Sequence, residues 1–202
     1  MINKITNRGD TLIEVLLAIT VFSLVAVGGM AIMNSGTSTS RRSLEISLVR
    51  NEIDAQAETL RFLNASYIAN YPNTIADGTP EKEWSNISNN ASINVSLSAT
   101  CPTTNPPQSF ILDTRYAKYH TGKFAKPQTF SQVRYNADSP TAIGSLSASD
   151  GIWIQSTKSN TTSSNNQSNT GYIDFYIRAC WDSAGQKVPV TLQTIVRLYE
   201  PR

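Results

Sequence analysis

The sequence predicts an α+β chain in which one long N-terminal helix, about residues 10–64, packs on a C-terminal antiparallel β-sheet. Three observations predict it. An uncharged, proline-free apolar run of 19 residues extends from Val15 to Met33. Helical periodicity resumes soon afterwards, with Val49, Ile53, Ala57, Leu60, Asn64 and Tyr67 at three- and four-residue steps and Leu63 beside them. Alternation of apolar and polar residues then takes over, most clearly in Tyr172–Cys180 and Val188–Tyr199. A helix and a sheet that each carry one apolar face bury both by packing together.

The apolar run sets the first element. At about 1.5 Å per residue its helix is roughly 28 Å long, close to a bilayer core of about 30 Å. Residues 10–33 are therefore read as a membrane-spanning helix, with Gly28-Gly29 as its weakest point at about 1 kcal/mol per glycine relative to alanine. Asn34 to Ser40 is polar but holds no proline, so the helix continues as an amphipathic segment over residues 34–70. Its solvent face carries Arg50, Asp54, Glu58 and Arg61, with Arg50–Asp54 favourable and Asp54–Glu58 unfavourable at four-residue spacing. Pro72 prevents extension beyond Tyr71.

The residues before the run add a second layer. Lys4 and Arg8 form a short lead without acids, Gly9 stands at the junction, and Asp10 follows it. Glu14 lies inside the edge of the apolar segment, where an unpaired carboxylate is costly. Basic lead, glycine, spaced glutamate and long apolar run together resemble the N-terminus of type IV prepilins and type II secretion pseudopilins. The resemblance implies that residues 1–9 are a leader, that a prepilin peptidase cuts after Gly9, and that the new amino terminus at Asp10 is N-methylated. It makes Glu14 the assembly residue and residues 10–33 the filament-core helix. Asp10 stands where the family carries phenylalanine or methionine, and its carboxylate competes with Glu14 for the new terminal amine. With a mature length of 193 residues (202 less nine), this points to a minor pilin or pseudopilin.

A conventional secretory signal peptide fits less well. Its apolar core is about 7–15 residues, shorter than this run. The small-residue sites Ala26-Val27-Gly28 and Gly29-Met30-Ala31 also lie inside the run rather than after it. Flanking cations do not decide orientation, since Lys4 and Arg8 face Arg41 and Arg42 across the span.

Charged residues are 16% of the chain, against about 25% in an average globular protein, and Ser, Thr and Asn take their place. Net charge is +2, from 17 basic and 15 acidic residues; loss of Lys4 and Arg8 with the leader leaves 15 of each. That balance argues against nucleic acid as a partner. Cys101 and Cys180 have no CxxC spacing and His120 is the only histidine, so no metal site is expected. The cysteines are either one disulfide, which places residues 71–202 in an oxidising exterior, or two buried thiols. A bridge would close a loop of about 80 residues and stabilise by about 4.5 kcal/mol in the chain-entropy treatment.

Within residues 71–202, the stretch 72–90 reads as loop from Pro72, Asp77-Gly78, Pro80 and Ser85-Asn86. Ala91–Ser98 alternates as a strand through Ile93, Val95 and Leu97, and Cys101–Pro107 is a turn region. Phe110–Leu112, Phe130–Tyr135 and Gly151–Gln155 are shorter strand candidates. Residues 156–170 hold 13 Ser, Thr or Asn among 15 positions, the composition of a flexible solvated loop. Trp181–Gln186 is a hairpin connection in which Gly185 is free to take positive φ.

No catalytic constellation emerges. Asp113, Arg115 and His120 are near in sequence, but no nucleophile motif or glycine-rich turn frames them. Asp138, Asp150 and Asp182 sit by turn residues and read as turn caps rather than a calcium loop. Lys118, Lys123 and Lys126, interleaved with Tyr119 and Phe124, read as a solvated loop rather than a surface for DNA or an acidic glycan. The expectation is a non-enzymatic subunit with no cofactor and no small-molecule substrate. Its partners would be prepilin peptidase, other pilin subunits and the membrane. It would start as a single-pass precursor in the bacterial cytoplasmic membrane, C-terminal domain outside, and end in a cell-surface filament. The alternative is a membrane-anchored surface adhesin or binding domain that does not polymerise.

Overall fold

The computed structural model describes residues 10–91, 101–136, 145–159, 171–183 and 185–200. It is an α+β structure with a long N-terminal helix, α1 (Asp10–Asn70), and a C-terminal antiparallel sheet. The chain divides after Leu44 into two compact units. Helix α1 stops just before Pro72, its last backbone bond running from Tyr71 N–H to the Tyr67 carbonyl at 3.1 Å.

In the unit that begins at Glu45, the amphipathic stripe is buried as its spacing demands. Val49, Ile53, Ala57, Leu60 and Leu63 join one core with Leu112, Ile154, Ile173, Phe175 and Ile177, while Arg50, Asp54, Glu58 and Arg61 are exposed. Three polar side chains fix the helix to the strands. Glu45 accepts hydrogen bonds from Trp181 Nε1 at 3.0 Å and Ser183 Oγ at 2.6 Å. Gln56, fully buried, donates to the Leu112 carbonyl at 2.8 Å and accepts from the Leu112 N–H at 3.0 Å. Asn64 donates to the Tyr199 carbonyl at 3.1 Å.

The strands are β1 (Phe110–Asp113), β2 (Lys118–Thr121), β3 (Phe124–Ala125), β4 (Gln132–Tyr135), β5 (Leu146–Asp150), β6 (Ile152–Lys158), β7 (Tyr172–Trp181) and β8 (Val190–Tyr199). Five of them form an antiparallel sheet in the order β2-β1-β6-β7-β8. On β7, Ile173, Phe175 and Ile177 face the core, and Gly185 takes φ 80° in the hairpin to β8. A second sheet, β3-β5-β4, departs from the all-antiparallel expectation, because β3 runs parallel to β5. Pro127 follows β3 closely and supplies no N–H, which leaves β3 two residues long.

Other differences have local causes. Residues 80–90, expected as loop, form helix α2 (Pro80–Asn90): Pro80 is pre-set for the first turn, Glu81 and Glu83 favour the N-terminal end, and Trp84 and Ile87 bury one face. Ser156–Lys158, expected to open the polar loop, extend β6, because β7 supplies a full ladder opposite them: Ser156 to Phe175, Thr157 to Asp174 and Lys158 to Ile173. Lys158 is also held by Glu200 Oε1 at 2.7 Å. The rest of that loop beyond Ser159 lies outside the described residues, as does the alternating stretch after Ala91.

Asp150 is no turn cap. It receives Arg134 Nη2 at 2.9 Å and Nε at 2.7 Å across the small sheet. Asp182 lies 3.4 Å from Lys126, while Asp138 lies outside the described residues. Gly151 joins β5 to β6 at φ 62°, and a Cβ there would press on the Cys180 carbonyl oxygen and lie 2.8 Å from Ser131 Oγ.

Asp113 is fully buried and shapes the turn between β1 and β2, accepting from the Arg115 N–H at 3.0 Å. His120, opposite Ile111 on β2, has a buried Nε2 without a hydrogen-bond partner among the described residues. Burial pushes its imidazole below the ordinary value of 6.5; Asp113 and Glu83 oppose the shift, and Lys123 and Lys118 add to it. The unfolded chain therefore takes up this proton at a higher pH than the folded one. The His120 contribution is complete above about 6.5 and falls away as pH drops towards the folded value. Thermal unfolding followed from pH 7.5 to pH 5 is expected to show this decline, and His120→Gln to flatten it, in steps read by circular dichroism.

Candidate assembly helix

The segment singled out by sequence is the N-terminal part of α1. Gly9 lies outside the described residues, and Asp10 is the first helical residue. Glu14 sits one turn further on; its side chain is exposed and has no ion-pair or hydrogen-bond partner among the described residues.

Beyond Glu14 the helix is apolar all round. Every large apolar side chain from Leu12 to Met33 is exposed, none below 52%. A stripe facing a soluble core would leave one covered side, as the later half of α1 does; this segment has none. Its few hydroxyls are satisfied by the helix itself: Thr20 donates to the Leu17 carbonyl at 2.8 Å and Ser23 to the Ile19 carbonyl at 2.7 Å. Such internal bonds let Ser and Thr enter an apolar environment without an orphaned donor. Thr37 and Thr39 repeat the device, bonding to the Met33 and Ser35 carbonyls, so the helix persists through the polar stretch. The helix is long and apolar enough to cross a membrane.

Cys101 and Cys180 form a disulfide with Cα atoms 5.6 Å apart, closing a separation of 79 residues. Among the described residues, no group of three or more His, Cys, Asp or Glu is placed to hold a metal ion. Asp113, Arg115 and His120 serve the β1–β2 turn and its strand, with Arg115 stacked over Tyr135 at 3.4 Å from the ring centroid.

Sequence reasoning missed Glu45 and Gln56, the residues that seat the amphipathic half on the sheet. Their partners lie 136 and 56 positions away, so no local pattern could announce them. The fold and site define a class: a chain with an exposed apolar N-terminal helix and a disulfide-bridged C-terminal β domain. No protein-family profile, curated protein or solved structure matches the chain.

Proposed function

We propose that the chain is a pilin-like structural subunit, cut after Gly9 by a prepilin peptidase and assembled as a minor component of a type IV pilus or pseudopilus. The observation that carries this reading is the helix from Leu12 to Met33, exposed and apolar on every side, with Glu14 an exposed acid at its edge. An all-round apolar surface of this length needs lipid or other helices around it. The membrane would hold the precursor, and helices of like subunits would replace lipid in the filament.

Glu14 then gains a partner. Cutting after Gly9 creates an amine with an unperturbed pKa of about 7.7–8.0, mostly charged at neutral pH. At about 4 Å and an effective dielectric of about 20, the amine of one subunit attracts Glu14 of its neighbour by roughly 4 kcal/mol before desolvation. That attraction sets the axial register of an incoming subunit. Asp10 competes for the same amine, which suits a sparse subunit.

N-terminal sequencing of the mature protein is expected to begin at Asp10. A start at Met1, or after Met33, counts against the reading. Glu14→Ala is expected to lower incorporation into sheared filaments by roughly tenfold or more, the scale of a lost charge-assisted contact. Normal incorporation of that variant would leave the anchored, non-polymerising surface domain as the better account.

A further inference from the structure

The five-stranded sheet ends in β2 on one side and β8 on the other, and the two edges are finished differently. β2 is four residues long, and its Tyr119 N–H donates to Glu83 Oε2 of α2 at 3.1 Å. A short strand capped by a helix is a poor template for a further strand. β8 has ten residues and holds no proline, glycine or acid. The Glu200 N–H donates to the Gly171 carbonyl at 2.9 Å and the β7–β8 register is unbroken, so the even-numbered residues of β8 bond to β7. The odd-numbered ones, Thr191 to Tyr199, turn their N–H and C=O groups outwards, and their side chains are exposed. Asn64 closes the last of these groups by donating to the Tyr199 carbonyl at 3.1 Å. Among the described residues, no other strand pairs with this edge from Gln193 to Arg197.

The edge is complementary to itself. Laid antiparallel on a second copy with the two-fold axis at Ile195, it sets Ile195 opposite Ile195 and Gln193 opposite Arg197 on one face. On the other face Thr194 meets Val196 and Leu192 meets Leu198. The pairs among residues 193, 195 and 197 each exchange both backbone bonds, roughly six in all. Arg197 is the one charged residue of the strand. Asp174 holds it through Nε at 2.7 Å and Nη2 at 2.8 Å, and in this register it faces an amide. An axis at Arg197 would oppose two guanidinium groups and run the partner strand into Asn64, and an axis at Gln193 would lose the Ile195 pair. Ile195 is 56% exposed and has Tyr176 opposite it on β7, so the axis closes an apolar row from Tyr176 to Tyr176 across four strands.

We propose that β8 is an interface between two copies of this chain, paired antiparallel about Ile195 into one continuous sheet. Helix α1 passes along β8 from Glu45, bonded to Trp181 opposite Val190, to Asn64 at Tyr199. The two-fold turns that stretch end for end in the partner. Subunits drawn from one membrane point the same way, so in the filament reading this contact joins two filaments and not neighbours of one. The pairing itself does not rest on that reading.

The test is site-directed cross-linking of the full chain in detergent micelles. Both native cysteines are bridged, so Ile195→Cys carries a single free thiol. Facing residues of such a pair lie about 5.5 Å apart at Cα, a span that a disulfide bridges. Oxidation with copper phenanthroline is expected to give a covalent dimer of Ile195→Cys on a non-reducing gel. Thr191→Cys, also exposed but facing Tyr199, should give none. Gln193→Cys and Arg197→Cys should cross-link when mixed and not alone. In sedimentation, Ile195→Lys, which sets two cations on the axis, should lose the dimer that the wild type forms. Three results overturn the proposal: no cross-link at Ile195, equal cross-linking at Thr191, or an undiminished dimer in Ile195→Lys, as contact through the apolar helix would leave it. So does a monomer whose Ile195 amide exchanges slowly with deuterium, since another segment of the same chain then holds the edge. None of these results alters where the mature chain begins, so the filament reading stands or falls separately at Asp10.

Discussion

The double variant Cys101→Ser, Cys180→Ser is expected to lose about 4.5 kcal/mol of stability, the chain-entropy value for a loop of about 80 residues. The loss falls mainly on the unfolded chain, because the frame around Cys180 has supports of its own. The Cys180 N–H donates to the Gly151 carbonyl at 2.8 Å, and Ser131 Oγ donates to the Cys180 carbonyl at 3.2 Å. Trp181, the next residue, is anchored to Glu45. The folded variant should therefore keep its sheet signal at low denaturant. Urea unfolding of the full chain in detergent, with and without reductant, measures the effect: the wild type under reductant should unfold with the double variant. A change below about 1 kcal/mol would mean that the unfolded chain keeps these two segments together without the bond. Segment 101–107 should also loosen at its Cys101 end, while the Gln155 bond to the Pro107 carbonyl still holds the other end.

What could be read from sequence was whatever has a local period. The end of α1 followed from Pro72, and the buried stripe from Val49 to Leu63 followed from three- and four-residue spacing. β7 followed from strict alternation, because one of its faces meets the core and the other does not. Elements with mixed signals were lost. In α2, Pro80 and Ser85-Asn86 suggested turns, whereas Pro80 with Glu81 and Glu83 ahead of Trp84 and Ile87 is also the signature of a helix start. In β5, Leu-Ser-Ala-Ser-Asp has little strand character of its own; Arg134 on β4 supplies the partner that lets Asp150 sit at its end.

The candidate assembly residue divides in the same way. Glu14 was legible because a carboxylate at the edge of an apolar run is costly wherever the chain folds. Its proposed partner belongs to another subunit, so a single chain shows only the free acid.

Trp84→Ala is expected to cost about 3–5 kcal/mol, the range for truncating a fully buried large aromatic. Trp84 is 0% exposed and packs its ring 5.7 Å from that of Phe175. It is the largest contribution of α2 to the core, so its loss removes the main reason for residues 80–90 to be helical at all. Trp84→Phe separates two effects. The smaller ring leaves a void, which costs stability, but the indole N–H of Trp84 is buried without an acceptor among the described residues. Removing such a donor recovers roughly 1–3 kcal/mol. The two terms oppose each other, and Trp84→Phe should lie within about 1 kcal/mol of wild type even though Trp84→Ala does not. A double-mutant cycle with Phe175→Leu should return a coupling of about 0.5–1.5 kcal/mol for the ring pair, kept in Trp84→Phe and absent in Trp84→Ala. Equal losses in the two Trp84 variants would show that the indole nitrogen is satisfied, and that ring volume alone fixes α2 against the sheet.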